Sequence, residues 1–341
     1  MRLRVILCAL SCAGVTYSLE FGLPRPRETN VAPTPTTPPP TTPSPSPLPT
    51  TSSSTSPPRP LRPTPIVLWH GMGDSCCNPL SLGSFKAFLI SILPGVYVKS
   101  LEIGDGIVAD TMNGFFMNAN EQVEEACRLI RTDSRLQGGY NAIGFSQGGQ
   151  FLRAVAQRCP NGMKNLISFG GQHQGIYGFP HCFYPDHTMC NYVRIMLDKA
   201  AYVSWVQNKF VQAQYWHDPI NEDEYIRKSV FLADINNERN VNSTYIRGLT
   251  ALNKLVLVKF ADDTMVIPKE SSWFGFYTPG QGTNITNLQQ SALYIEDRLG
   301  LRELDNAGKI DFLTSPGDHL RFTRQWFIDN IYKYLENNHL Y

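Results

Sequence analysis

The chain carries almost no net charge: 30 Lys and Arg stand against 29 Asp and Glu, a formal charge of +1 over 341 residues. A polyanion surface needs clustered, unbalanced positive charge, so nucleic acid is excluded as an expected partner. A membrane-spanning segment is also lacking. The apolar run Val5-Ile6-Leu7-Cys8-Ala9-Leu10 is far shorter than the roughly 20 residues a span requires, and no stop-transfer pattern follows it. Preceded by Met1-Arg2-Leu3-Arg4 and followed by small residues from Gly14 to Ser18, it reads as a secretory signal peptide over residues 1–18.

Apolar residues then become scarce between about Pro24 and Pro65, where Pro, Thr and Ser dominate, as in Pro33-Thr34-Pro35-Thr36-Thr37-Pro38-Pro39-Pro40. Such a segment cannot bury enough surface to offset the entropy of ordering it. Residues 19–64 are therefore expected to form an extended tether of the kind that carries O-glycans.

Secretion changes how the cysteines read. Cys8 and Cys12 leave with the signal; Cys76, Cys77, Cys127, Cys159, Cys182 and Cys190 remain, an even number in an oxidising compartment, where disulfides are the default. A zinc site built on Cys182, His187 and Cys190 lacks a convincing fourth ligand other than His181. No metal and no cofactor is expected. The sequons at Asn242 and Asn284 fit glycosylated surface loops.

What is present begins at Pro65-Ile66-Val67-Leu68-Trp69-His70-Gly71, a continuous apolar run closed by glycine, as in a strand buried on both faces. The pattern predicts a helix over 84–93, a strand over 96–101, and a helix over 118–136 with Val123, Cys127 and Ile130 on one face. A strand over 140–145, a helix over 147–158 and a strand over 166–170 follow. This alternation implies an α/β domain over 65–341 with a mainly parallel sheet. It lapses over 171–254, read as an insertion covering the sheet, with a helix over 192–214 whose Tyr192, Ile195, Tyr202, Val206 and Phe210 share a side. Strands resume at Leu255–Phe260 and Ile310–Leu313, and a helix over 321–336 closes the chain.

The strand over 140–145 runs into a helix through Gly144-Phe145-Ser146-Gln147-Gly148, a Gly-x-Ser-x-Gly turn that holds a serine hydroxyl above the sheet. A serine nucleophile needs a base, and the base a carboxylate to orient it. In α/β-hydrolases these follow the serine in the order acid, then histidine, each on a loop after a later strand. Asp262 and Asp263 follow the strand ending at Phe260, and His319 follows the strand over 310–313; either aspartate satisfies the order. His70 precedes the serine, His173, His181, His187 and His217 fall in the insertion, and His339 lies in the tail, so His319 is the candidate base. Two backbone donors must hold an oxyanion: Gln147 supplies one, and the loop His70-Gly71-Met72-Gly73-Asp74-Ser75 is placed to supply the other. That loop lacks the Gly-Lys-Ser/Thr of a phosphate-binding loop.

From about Pro65 onward the chain resembles the palmitoyl-protein thioesterases, lysosomal enzymes that remove long acyl chains from cysteines. The resemblance rests on Trp69-His70-Gly71-Met72-Gly73-Asp74-Ser75-Cys76-Cys77-Asn78-Pro79, on Tyr140 to Pro160, on Gly170-Gly171-Gln172-His173-Gln174-Gly175, and on Tyr215-Trp216-His217-Asp218-Pro219-Ile220. Phe231 to Asn236, Trp273-Phe274-Gly275-Phe276-Tyr277 and Asp318-His319-Leu320 extend it toward the C-terminus. The resemblance implies a triad of Ser146, Asp263 and His319, because the family's acid falls in Phe-x-x-Asp-(Ser/Thr). It implies oxyanion donors at Met72 and Gln147, and an apolar acyl groove between the sheet and a largely helical cap. The insertion's apolar stripe, with Ile176, Tyr177 and Phe179, either lines that groove or simply packs on its neighbours.

It also bears on cysteine pairing. Cys127 and Cys159 lie on helices flanking the serine strand, and Cys182 and Cys190 close a short loop. Cys76 and Cys77 have Cα atoms only about 3.8 Å apart across a trans peptide, below the usual disulfide range, and physics alone leaves them free; the resemblance implies a vicinal bond. Departures from the family pattern are the tether and Asp262, which stands where the family commonly has a glycosylated Asn, while Asn242 matches a family sequon and Asn284 has no counterpart. The implied substrates are S-acylated proteins or peptides and fatty acyl thioesters. The implied destination is the lysosome through the secretory pathway, with a glycan-dependent sorting receptor as partner and a secreted fraction. A lipid or carboxylic ester hydrolase with the same triad, and a non-catalytic binding protein of hydrolase fold, are the competing readings.

Overall fold

The computed structural model describes residues 63–160, 162–178 and 200–336. The leader over 1–18, tether residues 19–62, Cys182 and Cys190 lie outside the described residues, as do His181, His187, His339, Phe179, Tyr192 and Ile195.

In chain order the first half comprises β1 (Ile66–Trp69), α1 (Leu82–Ile92), β2 (Val98–Ser100), α2 (Gly106–Phe116), α3 (Ala119–Thr132), β3 (Tyr140–Phe145), α4 (Gln147–Arg158) and β4 (Met163–Phe169). Short helices α5 (Ser204–Lys209), α6 (Val211–Gln214), α7 (Glu222–Lys228), α8 (Leu232–Ile235) and α9 (Ser243–Thr250) lead to β5 (Lys254–Phe260). The two-residue strands β6 (Phe276–Tyr277) and β7 (Ile285–Thr286), then α10 (Ala292–Ile295), α11 (Leu301–Asn306), β8 (Ile310–Ser315) and α12 (Arg324–Asn330) complete it.

Six strands form one sheet in the order β2-β1-β3-β4-β5-β8, and every neighbouring pair is parallel. This all-parallel sheet bears out the mainly parallel α/β arrangement expected from the alternating pattern, and the fold is of the α/β-hydrolase class to which the order of serine, acid and histidine points. The chain enters at β1, steps outward to β2, returns to β3 on the other side, and then adds β4, β5 and β8 in turn. Order reverses between β1 and β3, and an open α/β sheet leaves a crevice at the carboxyl ends of strands that flank such a reversal. The loop after β1 and the turn after β3 therefore meet at the top of the sheet.

Both sheet faces are apolar because both are covered. Ile66, Leu68, Ile143, Ile167, Val256 and Val258 point to one face, under Phe88 and Leu89 of α1 and Phe327 of α12. Val67, Trp69, Ala142, Leu166, Leu255 and Leu257 point to the other, under Val123, Cys127 and Ile130 of α3 and Phe151 and Leu152 of α4. Alternate residues thus serve opposite cores, and each fully buried large side chain contributes about 1.5–3 kcal/mol.

Three elements depart from expectation. The long helix over 118–136 stops at Thr132, where Asp133 adopts an extended ψ of 106° and its side chain accepts the Arg135 amide to open a separate turn over Ser134–Leu136. Of the helix over 192–214, the described part breaks at Phe210, extended at φ −125° and ψ 116°. The buried Gln207 amide bridges that break by donating to the Ala201 carbonyl at 2.8 Å and to the Ala213 carbonyl at 2.5 Å. The closing helix begins only at Arg324, capped by Thr323, because Leu320 sits at φ 58°, which a right-handed helix does not allow. Helix α2 was not anticipated.

The helices between β4 and β5 are tied to α4 by a buried cation. Arg153 of α4, fully buried, donates to the Ile235 carbonyl (3.1 Å), the His173 carbonyl (3.1 Å) and Asn236 Oδ1 (2.9 Å). Burial pulls its guanidinium down to about 9.

Beyond it, His217 lies between the rings of Tyr225 and Phe276, with Nδ1 2.8 Å from the Gln174 carbonyl and Nε2 2.9 Å from Glu222. Both ring nitrogens face acceptors, and although burial opposes it, Glu222 raises the imidazole's pKa. The Tyr225 hydroxyl donates to Glu238, whose carboxyl is pushed up to about 7, chiefly by burial.

A carboxyl with a folded pKa above its unfolded value favours the folded state most below the unfolded pKa, about 4.3, and that contribution is lost as pH rises through about 7. His217 acts in the same sense at higher pH, its contribution complete below about 6.5 and lost as pH rises through its raised pKa. His173, held well below the ordinary value by burial, acts oppositely and costs stability as pH falls below about 6.5. Glu238→Gln, which leaves both histidines in place, is expected to raise Tm at about pH 8 relative to Tm at about pH 5 by removing the loss at the alkaline end. Scanning fluorimetry across that range checks it, and parallel curves for the two proteins contradict it.

Candidate active site

Ser146 stands between β3 and α4 at φ 52° and ψ −121°, a region that a residue with a Cβ rarely occupies. Its neighbours have no room for side chains. A Cβ on Gly144 would lie 2.5 Å from the Gly148 carbonyl oxygen, and one on Gly148 would lie 2.4 Å from the Trp69 carbonyl oxygen. The Ser146 amide donates to the Phe169 carbonyl at 2.7 Å, so β4 helps hold the turn.

The side chains of His319 and Asp263 converge on this serine. His319 Nε2 is 2.9 Å from Ser146 Oγ, and Nδ1 is 2.8 Å from Asp263 Oδ2. The other carboxylate oxygen, Oδ1, accepts from the Met265 and Val266 amides, each at 2.9 Å, so the carboxylate cannot turn away. Facing a buried carboxylate, Nδ1 carries the ring proton; Nε2 is left as the acceptor for the Ser146 hydroxyl. Asp262 is exposed and contributes only its amide, to the Gly317 carbonyl at 3.0 Å. His70, His173 and His217 are buried in other contacts.

Gln147 opens α4, so its amide has no intrahelical acceptor and points out of the helix N-terminus beside the serine. The loop after β1 lies against the same point: a Cβ on Gly71 would be 3.2 Å from Ser146 Cβ. Met72 follows it, its sulfur accepting from Gln212 Nε2 of α6 at 2.9 Å. The crevice at the strand-order reversal thus holds a hydroxyl, an imidazole paired with a carboxylate, and the N-terminus of α4. That set suits acyl transfer through a tetrahedral intermediate.

Residues 65–319 match the family model described as palmitoyl protein thioesterase. The chain is 56% identical over 270 residues to palmitoyl-protein thioesterase 1 of Caenorhabditis elegans, covering 79% of this chain and 90% of that one. It is 38% identical to palmitoyl-protein thioesterase 3 of Dictyostelium discoideum, over 80% of this chain and 92% of the relative. Lysosomal thioesterase PPT2 of Bos taurus is 31% identical over 72% of this chain and 77% of its own length. The chain belongs to the palmitoyl-protein thioesterase family.

The loop after β1 in this thioesterase is braced from below by a residue that sequence reading did not single out. Asp110 of α2 is fully buried; its Oδ1 lies 3.0 Å from His70 Nε2 and accepts the Ile103 amide at 2.8 Å, while its Oδ2 accepts the Cys76 amide at 2.7 Å. His70 Nδ1 meets the Gly71 carbonyl at 2.8 Å, and although burial works against it, the Asp110 hydrogen bond raises the imidazole's pKa. Removing one partner of a buried, hydrogen-bonded pair leaves the other uncompensated. Asp110→Ala is expected to cost about 3–5 kcal/mol of stability, measured by urea unfolding with circular dichroism. A loss comparable to that of a surface substitution contradicts the bracing role.

Asp318 was also overlooked as a contributor, though it precedes His319 directly. It accepts from the His319 amide (2.7 Å) and from the Thr264 amide and hydroxyl (both 2.9 Å), joining the loops that carry His319 and Asp263. Burial works to raise its pKa, but these donors hold it below the usual carboxylate value.

The same helix α2 presents an apolar outer face: Ile107, Val108, Met112 and Phe116 are all exposed. Phe116 packs on Phe210, with ring centroids 5.8 Å apart, and Phe210 in turn packs on the exposed Trp205 at 6.1 Å. Other expected groove residues are committed elsewhere. Val206 and Ile176 are sealed in the core, and the Tyr202 hydroxyl accepts the Asp218 amide at 2.9 Å and donates to the Trp216 carbonyl at 3.2 Å. Tyr177 packs on Trp216 at 5.5 Å.

Cys127 and Cys159 are joined, with Cα atoms 6.0 Å apart, and so are Cys76 and Cys77, 3.8 Å apart. Among the described residues one acidic and cysteine cluster has metal-like spacing, Cys76, Cys77 and Glu102, but its sulfurs are spent in the disulfide. Asn242 and Asn284 are exposed, Asn242 at the N-terminus of α9 and Asn284 beside β7.

Proposed function

We propose that this thioesterase releases long-chain acyl groups, palmitoyl among them, from cysteines of S-acylated proteins through an acyl-serine formed on Ser146. The observation that carries the reading is the continuous 2.9 Å and 2.8 Å relay from Ser146 Oγ through His319 to Asp263 in the crevice at the strand-order reversal.

Ser146 Oγ attacks the thioester carbonyl carbon as its proton passes to His319 Nε2. The carbonyl oxygen becomes an oxyanion held by the amides of Met72 and Gln147. Collapse breaks the carbon–sulfur bond, and the imidazolium returns the proton to the departing cysteine sulfur. A water then gives a proton to His319 and its hydroxyl to the acyl carbon, releasing the fatty acid and restoring Ser146. Asp263 stays ionised throughout and stabilises each imidazolium. The apolar outer face of α2, running from Met112 through Phe116 to Phe210, is the proposed path of the acyl chain. Its Phe210 end lies two residues from Gln212, which donates to the Met72 sulfur, and exposed apolar surface of this kind is what a hydrocarbon tail covers.

We also infer delivery through the secretory pathway to the lysosome, with a secreted fraction. The signal-like residues 1–18, two exposed sequons that a glycan-reading sorting receptor can use, and relatives named lysosomal thioesterases support it. An ester hydrolase would share the same intermediate, so the discriminating experiment compares matched palmitoyl thioester and oxygen ester. A cysteine thiolate, whose conjugate acid has pKa about 8.5, leaves far more readily than an alkoxide. kcat/KM is expected to favour the thioester by at least about 10-fold; equal or reversed preference supports the ester reading.

A further inference from the structure

A second recess lies beside the Ser146 turn, on the opposite face of the sheet from the α2 apolar strip. It is a cavity of about 360 Å³, within the range of ligand-binding pockets, and none of its lining residues comes from the segment between β4 and β5. Its inner end is formed by Gly71 and Met72, by Phe145 immediately before the serine, and by Leu320 immediately after His319. A Cβ on Gly71 would lie 3.2 Å from Ser146 Cβ and 3.9 Å from Leu320 Cδ1, so the inner wall of the cavity packs directly on the serine. Phe85 and Phe88 of α1 form its apolar wall.

We propose that this cavity seats the peptide bearing the acylated cysteine, with an apolar residue next to that cysteine against Phe85 and Phe88. The inference rests on the reading that Ser146 and His319 carry the reaction. Besides Ser146 Oγ and the oxyanion, the tetrahedral carbon carries the acyl chain, which stays, and the sulfur, which leaves with a proton from His319 Nε2. The leaving group therefore faces His319, and the wall on that side is Leu320 and the cavity behind it.

The lining chemistry suits a neutral peptide. Asp74 and Arg324 line the cavity with opposite charges, Arg324 5.3 Å from the Phe88 ring centroid and Asp74 held by Asn78 Nδ2 (2.8 Å) and Ser81 Oγ (2.6 Å). One acid beside one base gives no net field for a polyphosphate such as the coenzyme A leaving group, whereas a peptide main chain with an apolar side chain meets both wall and rim.

The test uses the full-length enzyme and three palmitoyl thioesters: a peptide with Leu after the cysteine, the same peptide with Gly there, and S-palmitoyl-N-acetylcysteamine, whose leaving group is too short to reach the phenylalanines. Wild type is expected to favour the Leu peptide over the Gly peptide by about 10-fold in kcat/KM. Ser84 lines the cavity from the first turn of α1, so Ser84→Trp fills it. That variant is expected to erase the preference while keeping cysteamine thioester turnover within about twofold and acyl-length dependence unchanged. Leu80→Glu, at a highly exposed rim position that folding does not depend on, is expected to lower the Leu-peptide rate alone by about fivefold.

Equal use of the two peptides by wild type overturns the proposal. So does a loss in Ser84→Trp that grows with acyl length, which would assign the cavity to the chain, or an unchanged Leu-to-Gly ratio in Leu80→Glu. Failure of the underlying catalytic reading shows separately, as cysteamine thioester turnover that survives Ser146→Ala.

Discussion

Ser146→Ala is expected to lower kcat for a palmitoyl thioester by about 10⁵- to 10⁶-fold, with the fold intact. The size follows from the role proposed for the residue: without Oγ no acyl-enzyme would form, and His319 and Asp263 would have nothing to activate. Residual turnover is limited to what bound water and the two amides achieve together. The substitution also relieves nothing in the backbone, since alanine at φ 52° meets the same Cβ restriction as serine. Unfolding midpoints should therefore stay close while activity collapses, and that separation distinguishes lost chemistry from lost structure.

Asp263→Asn is expected to lower kcat by about 10⁴-fold with little change in KM. The carboxamide must place its oxygen where Oδ1 accepts the Met265 and Val266 amides, because an NH₂ group there would face two donors. Its NH₂ then faces His319 Nδ1 from the position of Oδ2, 2.8 Å away in the wild type. Nδ1 becomes an acceptor, the ring proton moves to Nε2, and the ring can no longer take the Ser146 proton. Steady-state kinetics on a palmitoyl thioester check this, and a loss of less than about 10-fold would mean that Asp263 does not set the tautomer. Asp262→Asn, on an exposed side chain, is the paired control and should change little.

The alternation of elements and the turn at Ser146 were legible because the central strands β1 and β3 are buried along their whole length, and β4 and β5 nearly so, and they read as near-continuous apolar runs. Order along the chain singled out His319, but not which aspartate it meets; adjacent residues share a loop, and only the family pattern preferred Asp263. Helix α2 escaped notice because its polarity is inverted. Asp110 and Gly114 are its buried residues and Ile107, Val108, Met112 and Phe116 its exposed apolar ones, the reverse of an amphipathic signal. The break at Phe210 was equally hidden, since Val206 and Phe210 keep helical spacing while Gln207 satisfies the carbonyls around the interruption. Arg153 illustrates a third limit. A cation in the middle of α4 reads as a solvated face, yet its carbonyl acceptors come from residues 20 and 82 positions away.

The most direct measurement is rapid-quench mass spectrometry of the peptide containing Ser146 during turnover of a palmitoyl thioester. The proposed mechanism predicts a palmitoyl adduct on Ser146 that forms and decays at rates consistent with kcat, and that is absent from Ser146→Ala. An adduct on another residue, or undiminished hydrolysis by Ser146→Ala, would contradict it.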